Sequence, residues 1–162
     1  MNTENPAPIE LLVVDDHAIV RQGLTLLAGQ VPWIKRCRAA ASMDEALALL
    51  AQAGADVAVV DLSLGAQGSG LDVIAEILQR WPSMRIVVLS MHADSVYCER
   101  ALQRGAHAFV AKDDATEELI EAIARVVAGG TYLSSAVQAS MVDKMAQRAP
   151  TVLLATGLPA GQ

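Results

Sequence analysis

Five polar residues with chemically useful side chains each come at or directly after the end of a short apolar run. They are Asp15 and Asp16 after Ile9–Val14, Asp61 after Val57–Val60, Ser90 after Arg85–Leu89, and Lys112 after Ala108–Ala111. Carboxylates that crowd together repel one another, so they share protons or bind a cation. Oxygen ligands favour a hard ion such as Mg²⁺. An ammonium and a hydroxyl beside that cation would complete a site for a phosphoryl group attached to Asp61.

Asp61 is followed by a glycine-rich stretch, Gly65 to Gly70, before the next helix begins. Asp61 could instead be a cap of that helix, but the nine residues between them make capping a poor explanation. His17 is adjacent to the first acidic pair. An imidazole is a poor ligand for Mg²⁺, so a structural role is favoured for His17.

The apolar runs alternate with helical patterns along the chain, which predicts an α/β fold with a parallel sheet covered on both faces. The predicted strands are Ile9–Val14, Trp33–Ala40, Val57–Val60, Arg85–Leu89 and Ala108–Ala111. The predicted helices are His17–Gly29, Ser42–Ala53 with a capping box at Ser42 and Glu45, Gly70–Arg80, Ser95–Arg104, one from Thr116 to Gly129, and Ser135–Arg148. The polar residues at the strand ends then lie along one edge of the sheet.

The composition indicates a globular protein, with 53% hydrophobic and 19% charged residues. A net charge of −6 argues against direct binding of this chain to nucleic acid. Cys37 and Cys98 have no ligand-like spacing and are expected to be reduced thiols. No signal sequence or apolar run of membrane-spanning length is expected, so the interpretation is a soluble, cytoplasmic protein with no membrane partner.

These motifs together resemble the receiver domain of two-component response regulators, of the NarL/FixJ type in particular. The segments that carry the resemblance are Val14-Asp15-Asp16-His17-Ala18-Ile19-Val20-Arg21-Gln22-Gly23-Leu24, Asp61-Leu62-Ser63, Leu89-Ser90-Met91-His92, and Gly105 to Lys112-Asp113. The resemblance covers roughly residues 9–133. It implies a flavodoxin-like sheet of five parallel strands in the order 2-1-3-4-5, followed here by a C-terminal helix.

The resemblance also implies a role for each matching residue. Asp61 corresponds to the phosphoacceptor, and Asp15, Asp16, Asp61 and the backbone carbonyl of Ser63 correspond to the ligands of Mg²⁺, for which Mn²⁺ can substitute. Lys112 corresponds to the lysine that pairs with the phosphoryl group. Ser90 and Phe109 correspond to the switch, in which the Ser90 hydroxyl moves toward the phosphoryl group and Phe109 fills the vacated space. The phosphoryl donor would be a sensor histidine kinase.

Two positions depart from the family pattern. Leu64-Gly65 replaces the usual Met-Pro, and Gly70 comes nine residues after Asp61 instead of eight, so this loop is one residue longer. Lys112 is followed by Asp113, not by proline, and no cis peptide is assumed there.

The expected organisation is an extended or disordered segment over residues 1–8, a receiver domain over 9–133, a linker or packing helix over 134–149, and an uncharged tail over 150–162. That last helix could pack on its own receiver, pair between chains or link to something downstream. No DNA-binding helix-turn-helix domain is recognised in the sequence.

The predicted function is a signalling phosphoacceptor, not an enzyme beyond its own phosphorylation and dephosphorylation. We expect homodimerisation on phosphorylation, and control of transcription as the output of a full-length protein.

Three alternatives were weighed. A stand-alone phosphorelay or protein-interaction receiver shares the chemistry and differs only in output. A haloacid-dehalogenase-type phosphatase would need a second aspartate where Ser63 stands. A dinucleotide-binding enzyme fits poorly, because the glycines read G-x-x-G-x-G and follow the third strand instead of the first.

Overall fold

The computed structural model describes residues 7–63, 70–91, 95–112 and 116–155. The strands are β1 Ile9–Val14, β2 Ile34–Ala40, β3 Val57–Asp61, β4 Arg85–Ser90, β5 Ala108–Ala111 and β6 Tyr132–Leu133. The helices are α1 Ala18–Gly29, α2 Met43–Gln52, α3 Gly70–Arg80, α4 Ser95–Gln103, α5 Thr116–Val127 and α6 Ser135–Ala155. No helix in the described ranges is both long enough and apolar enough to span a bilayer.

All strand pairs of the sheet are parallel, and the strand order is β2-β1-β3-β4-β5-β6. The predicted α/β architecture and the order 2-1-3-4-5 are confirmed. The sixth strand is an addition that the sequence pattern did not predict, because two residues are too short to show any periodicity. It pairs with the outer edge of β5, with Tyr132 opposite Ala108.

The central strands are buried on both faces, as their continuous apolar sequences predict. Alternate residues of each strand point to opposite faces of the sheet, so a separate hydrophobic core forms on each face. One core contains Leu12, Val60 and Phe109 and is covered by α2, α3, α4 and the first turns of α6. The other contains Val13 and Val59 and is covered by α1 and α5. Polar side chains are therefore left to the ends of the strands.

Two polar arrangements confirm details of the second βα unit. The Ser42 hydroxyl accepts a hydrogen bond from the Glu45 backbone N–H at 3.2 Å, as the capping box requires. The Glu45 carboxylate, however, accepts from the N–H of Ala41 instead of Ser42. On β2, the Arg38 guanidinium donates to the backbone carbonyls of Leu49, Ala53 and Gly54 and so ties the C-terminal end of α2 to the sheet.

Helix α6 packs on α4 and β5 of its own chain, which is the first of the three arrangements considered for it. Val137 is fully buried and Met141 is half-buried, whereas Met145, the next residue of the same stripe, is 66% exposed. The Lys144 ammonium contacts the Glu99 carboxylate of α4 at 2.6 Å. The helix continues to Ala155, beyond the end predicted at Arg148.

Helix α3 begins in close contact with the end of β3. A Cβ atom on Gly70 would lie 2.5 Å from the Asp61 carbonyl oxygen and 2.6 Å from the Leu62 Cα, both backbone atoms that cannot move aside. The Gly70 N–H also donates to the Leu62 carbonyl. The space at position 70 therefore admits only glycine. This close contact sets the position at which α3 packs against the segment that carries Asp61.

We predict that Gly70→Ala lowers the free energy of unfolding by about 1–3 kcal/mol, because the new methyl group displaces the backbone beside Asp61. Gly23→Ala is the matched control, since a Cβ there meets no atom within 4 Å and lies in a helix. That control should be neutral or raise stability by about 0.5–1 kcal/mol. Urea denaturation measures both, and equal stability of the two variants would contradict the steric argument.

His107, at the start of β5, is held as a neutral imidazole. Its Nδ1 accepts a hydrogen bond from the Ile86 backbone N–H at 3.0 Å, which a protonated Nδ1 cannot do. Burial, and then the positive charge of Arg85, lower the pKa of His107 below its usual value. The unfolded chain therefore binds a proton more readily than the folded chain as the pH falls.

We predict that the contribution of His107 to stability is complete above pH 6.5 or so and is lost as the pH falls below that value, with a slope of at most about 1.4 kcal/mol per pH unit. In His107→Asn the side-chain oxygen can replace Nδ1 without titrating, so stability should fall less between about pH 7 and pH 5. Urea denaturation at several pH values measures the difference. Parallel curves for the two proteins would exclude His107 as the titrating group.

Candidate functional site

The site lies at the carboxyl ends of β1, β3 and β5. Asp15 directly follows β1, Asp61 is the last residue of β3, and Lys112 directly follows β5. Val14 pairs with Val60 in the sheet, which places the two following aspartates side by side. The structure thus brings together residues that are 97 positions apart in the sequence.

Lys112 is the cation that joins the two buried aspartates. Its Nζ lies 3.2 Å from Asp15 Oδ2 and 3.3 Å from Asp61 Oδ1. The side chains of Asp15 and Asp61 are 1% and 0% exposed, and that of Lys112 is 12% exposed. Because buried carboxylates are stable only when they are paired and hydrogen-bonded, this ammonium is an essential part of the site.

His17 lies on the solvent side of the same acidic group. Its Nδ1 is 2.9 Å from Asp15 Oδ1, 3.1 Å from Asp16 Oδ1 and 3.7 Å from Asp61 Oδ2. Its backbone N–H also donates to Asp15 Oδ1 at 2.8 Å, which shapes the turn into α1. The structural role expected for His17 is therefore present, but its side chain also lies among the carboxylates, which adjacency in sequence did not reveal.

Arg21 is a further residue of the site that the sequence reasoning missed. Its Nη1 donates to the backbone carbonyl of Asp15 at 2.7 Å and so fixes the turn that carries the acidic pair. Arg21 lies one helical turn inside α1, and only the folded turn brings it back over Asp15. No pattern in the sequence distinguishes it from a solvent-exposed arginine.

Ser63 orients Asp61. Both its backbone N–H and its hydroxyl donate to Asp61 Oδ1, at 3.2 Å and 3.1 Å. Together with Lys112 they hold that oxygen, whereas Asp61 Oδ2 is buried and has no hydrogen-bond partner in the described part of the chain. The role predicted for the Ser63 carbonyl remains a prediction.

Ser90 and Phe109, the two predicted switch residues, lie on the strands next to the site. Ser90 is the last residue of β4, opposite Ala111, and its carbonyl accepts the Lys112 backbone N–H at 2.7 Å. Phe109 is fully buried on β5, in the core that α6 covers. Their movement on phosphorylation remains a prediction. The two departures from the family pattern, at Leu64-Gly65 and at Asp113, lie outside the described residues.

The acidic group is suited to a divalent cation. One ligand atom from each of Asp15, Asp16, His17 and Asp61 lies within 4.8 Å of the others. The buried Asp61 Oδ2, which accepts no hydrogen bond from the residues that the structure describes, is the atom that such a cation would satisfy. An acidic aspartate cluster of this kind is typical of receiver-domain magnesium sites.

Comparison with known proteins identifies the family. Residues 11–124 match the model of the response regulator receiver domain. The chain is 30% identical over 136 residues to the oxygen regulatory protein NreC of Staphylococcus carnosus. It is 33% identical over 137 residues to the DNA-binding transcriptional activator DevR/DosR of Mycobacterium tuberculosis. The alignments cover 84% and 85% of this chain but 63% of each relative.

Solved structures agree with that assignment. A LuxR-family two-component response regulator from Aurantimonas sp. SI85-9A1 superposes with a TM-score of 0.81 at 28% identity, over 86% of this chain and 99% of the other. The isolated REC domain of RcsB from Salmonella enterica serovar Typhimurium, with a TM-score of 0.76 at 24% identity over 82% of this chain and 98% of the other, shares the fold. The NarL/FixJ type predicted from the motifs is confirmed by these relatives. The chain belongs to the response regulator receiver domain family.

Proposed function

We propose that this chain accepts a phosphoryl group on Asp61 from a sensor histidine kinase, in a reaction that depends on Mg²⁺ or, as a substitute, Mn²⁺. One observation carries the proposal. Asp61 is buried beside Lys112 with one carboxylate oxygen held by Lys112 and Ser63, and with its other oxygen lacking a hydrogen-bond partner among the described residues. That second oxygen has lone pairs available for a bond to phosphorus or to a cation.

The reaction would move the phosphoryl group from nitrogen to oxygen. A carboxylate oxygen of Asp61 attacks the phosphorus of a phosphohistidine, a P–O bond forms and the P–N bond breaks. The electron pair leaves with the imidazole nitrogen of the kinase, which takes a proton from solvent. Within this chain, the Lys112 ammonium lies where it can pair with the negative charge of the new acyl phosphate, and Ser63 keeps Asp61 in a fixed orientation.

The cation ligands would be the carboxylates of Asp15, Asp16 and Asp61 and the backbone carbonyl of Ser63. A bound divalent ion would neutralise negative charge on the phosphoryl oxygens and on the three carboxylates. The chain would carry out only its own phosphorylation and dephosphorylation.

We propose a conformational switch that begins at Lys112 and extends to the surface that covers β5. A phosphoryl group adds about two negative charges beside Lys112 and Ser90. The Ser90 hydroxyl would turn toward it, and Phe109 would move into the space that is released. These changes shift a population between two states of one fold.

For the output, we propose control of transcription by a longer protein in the cytoplasm, with homodimerisation on phosphorylation. The proposal is supported by the relative DevR/DosR, which is named as a DNA-binding transcriptional activator and of whose length this chain spans 63%. With a net charge of −6, this chain itself is not proposed to bind DNA. A stand-alone relay would show the same chemistry at Asp61 and no change in transcription.

We predict that acetyl phosphate with Mg²⁺ adds about 80 Da, the mass of one phosphoryl group, to the wild-type chain and nothing to Asp61→Asn. Intact-mass spectrometry measures the labelling. Asp44→Asn, an exposed carboxylate in the first turn of α2, is the control and should label as the wild type does. Equal labelling of the wild type and Asp61→Asn would exclude Asp61 as the phosphoacceptor.

We predict that Lys112→Ala lowers the affinity for the phosphoryl mimic beryllofluoride by at least about tenfold, because a hydrogen bond to a charged group contributes about 1.5–3 kcal/mol. Mg²⁺ binding should be retained, since the cation ligands are untouched and one positive charge is removed. Calorimetric titration measures both ligands, with exposed Lys35→Ala as the control. Wild-type affinity for beryllofluoride in Lys112→Ala would remove this lysine from the mechanism.

A further inference from the structure

Ser134 is a fully buried polar residue at the junction between β6 and α6. Its backbone N–H donates to the Phe109 carbonyl at 3.1 Å, and its hydroxyl oxygen accepts the Ala111 N–H at 3.1 Å. Both partners lie on β5. A longer sixth strand would meet the Ala111 N–H with a backbone carbonyl, but here the chain turns into a helix, so the hydroxyl takes the place of that carbonyl.

Ala111 is followed directly by Lys112, whose ammonium group contacts the two buried aspartates of the site. The last residues of β5 are therefore fixed from both sides of the strand. On one side the Ser90 carbonyl accepts the Lys112 N–H at 2.7 Å. On the other side the Ser134 hydroxyl accepts the N–H of the residue before it. The side chain of Lys112 projects from a backbone segment that both bonds hold in place.

Ser134 is itself held by the start of α6. Its carbonyl accepts the Gln138 N–H at 2.8 Å, and Val137 is buried in the core beside Phe109. The Glu118 carboxylate of α5 accepts from the Ser135 N–H at 3.0 Å and from the Tyr132 hydroxyl at 2.7 Å. The junction is thus anchored to α5, to β5 and to the core, which makes the position of the Ser134 hydroxyl well defined.

We propose that Ser134 is a positioning residue for Lys112, and that through it the docking of α6 sets the affinity of the site for a phosphoryl group. The proposal rests on the proposed function of Asp61 and Lys112. A serine before a helix usually accepts from the N–H groups of its own first turn. The Ser134 hydroxyl accepts from β5 instead, at the position next to the reactive lysine.

The Ala111 N–H is a buried donor. Ala111 is 2% exposed, so loss of the hydroxyl leaves its N–H without a partner and favours a local shift of the strand end. The ammonium of Lys112 must lie within hydrogen-bond distance of two separate carboxylates, and a backbone shift of a few tenths of an ångström spoils that geometry. The effect should therefore appear as a loss of anion affinity, not of cation affinity.

The test is a double-mutant cycle on the affinity for beryllofluoride in the presence of Mg²⁺, measured by calorimetry. Ser134→Ala should weaken binding by about fivefold to tenfold, and Ser134→Thr, which keeps the hydroxyl, should restore most of it. In the Lys112→Ala background, Ser134→Ala should have no further effect, because the residue it positions is gone. Ser140→Ala, a serine further along α6, is the control and should bind as the wild type does.

An equal loss in both backgrounds would contradict the proposal, since Ser134 would then act through the fold and not through Lys112. Wild-type affinity in Ser134→Ala, with Lys112→Ala still impaired, would overturn this inference alone. Absence of beryllofluoride binding by the wild type would overturn the proposed function and this inference with it.

A second measurement needs no variant. Coupling is reciprocal, so beryllofluoride bound at the site should stabilise the hydrogen bond between Ala111 and Ser134. Amide hydrogen exchange at Ala111 should slow by about fivefold to tenfold, matching the change in affinity. Exchange at Gln52, at the exposed end of α2, should be unchanged because it proceeds by local fraying. Unchanged exchange at Ala111 would contradict the proposal even if Ser134→Ala does not fold.

Discussion

Carboxylates repel one another at one edge of the sheet, and this repulsion determines which other groups must lie beside them. Asp15 and Asp61 are almost fully buried on adjacent strands, and Asp16 and His17 close the group on the solvent side. Two buried anions this close are stable only if a cation compensates them. Lys112 supplies one positive charge, which leaves the group acidic and prepared for a divalent ion.

The strand order explains why a lysine fills this role. Strand β4 lies between β3 and β5, so the cation must reach across a neighbouring strand, a distance of about 9–10 Å between backbones. A four-carbon side chain can do so, particularly because β4 ends in a small residue, Ser90. A shorter cationic side chain on β5 could not reach Asp61. The geometry of the sheet therefore determines which residue types can compensate the carboxylates and at which positions they must lie.

The same geometry links the site to the far edge of the molecule. Lys112 is held by Ser90 on one side and, through Ala111, by Ser134 on the other. Ser134 begins the helix that covers Phe109. A change of charge at Asp61 thus acts on a segment whose neighbours are Ser90, Phe109 and α6. Directly bonded neighbours connect Asp61 to α6.

Much of this fold could be predicted from the sequence, and the exceptions have physical causes. Strands β1 and β5 were predicted to the residue, because each apolar run ends abruptly in a charged residue. The two-residue β6 and the bonds of Ser134 were not predicted, since they depend on partners more than twenty positions away.

In the site, Asp15, Asp61 and Lys112 were expected together because parallel strands end at one edge. Arg21, and the position of the His17 side chain among the carboxylates, were not predicted because the turn that brings both residues back over Asp15 has no signature in the sequence. The added residue in the loop after Asp61 is visible in the sequence, but that loop lies outside the described residues.

Thermal unfolding of the wild type and Asp61→Asn, each with and without Mg²⁺, measures the repulsion between the carboxylates. If crowded carboxylates dominate the site, the metal-free variant should be more stable than the metal-free wild type, because one repelling charge is gone. Mg²⁺ should raise the melting temperature of the wild type and leave that of the variant nearly unchanged. A metal-free variant less stable than the wild type, or equal stabilisation of both by Mg²⁺, would contradict the account.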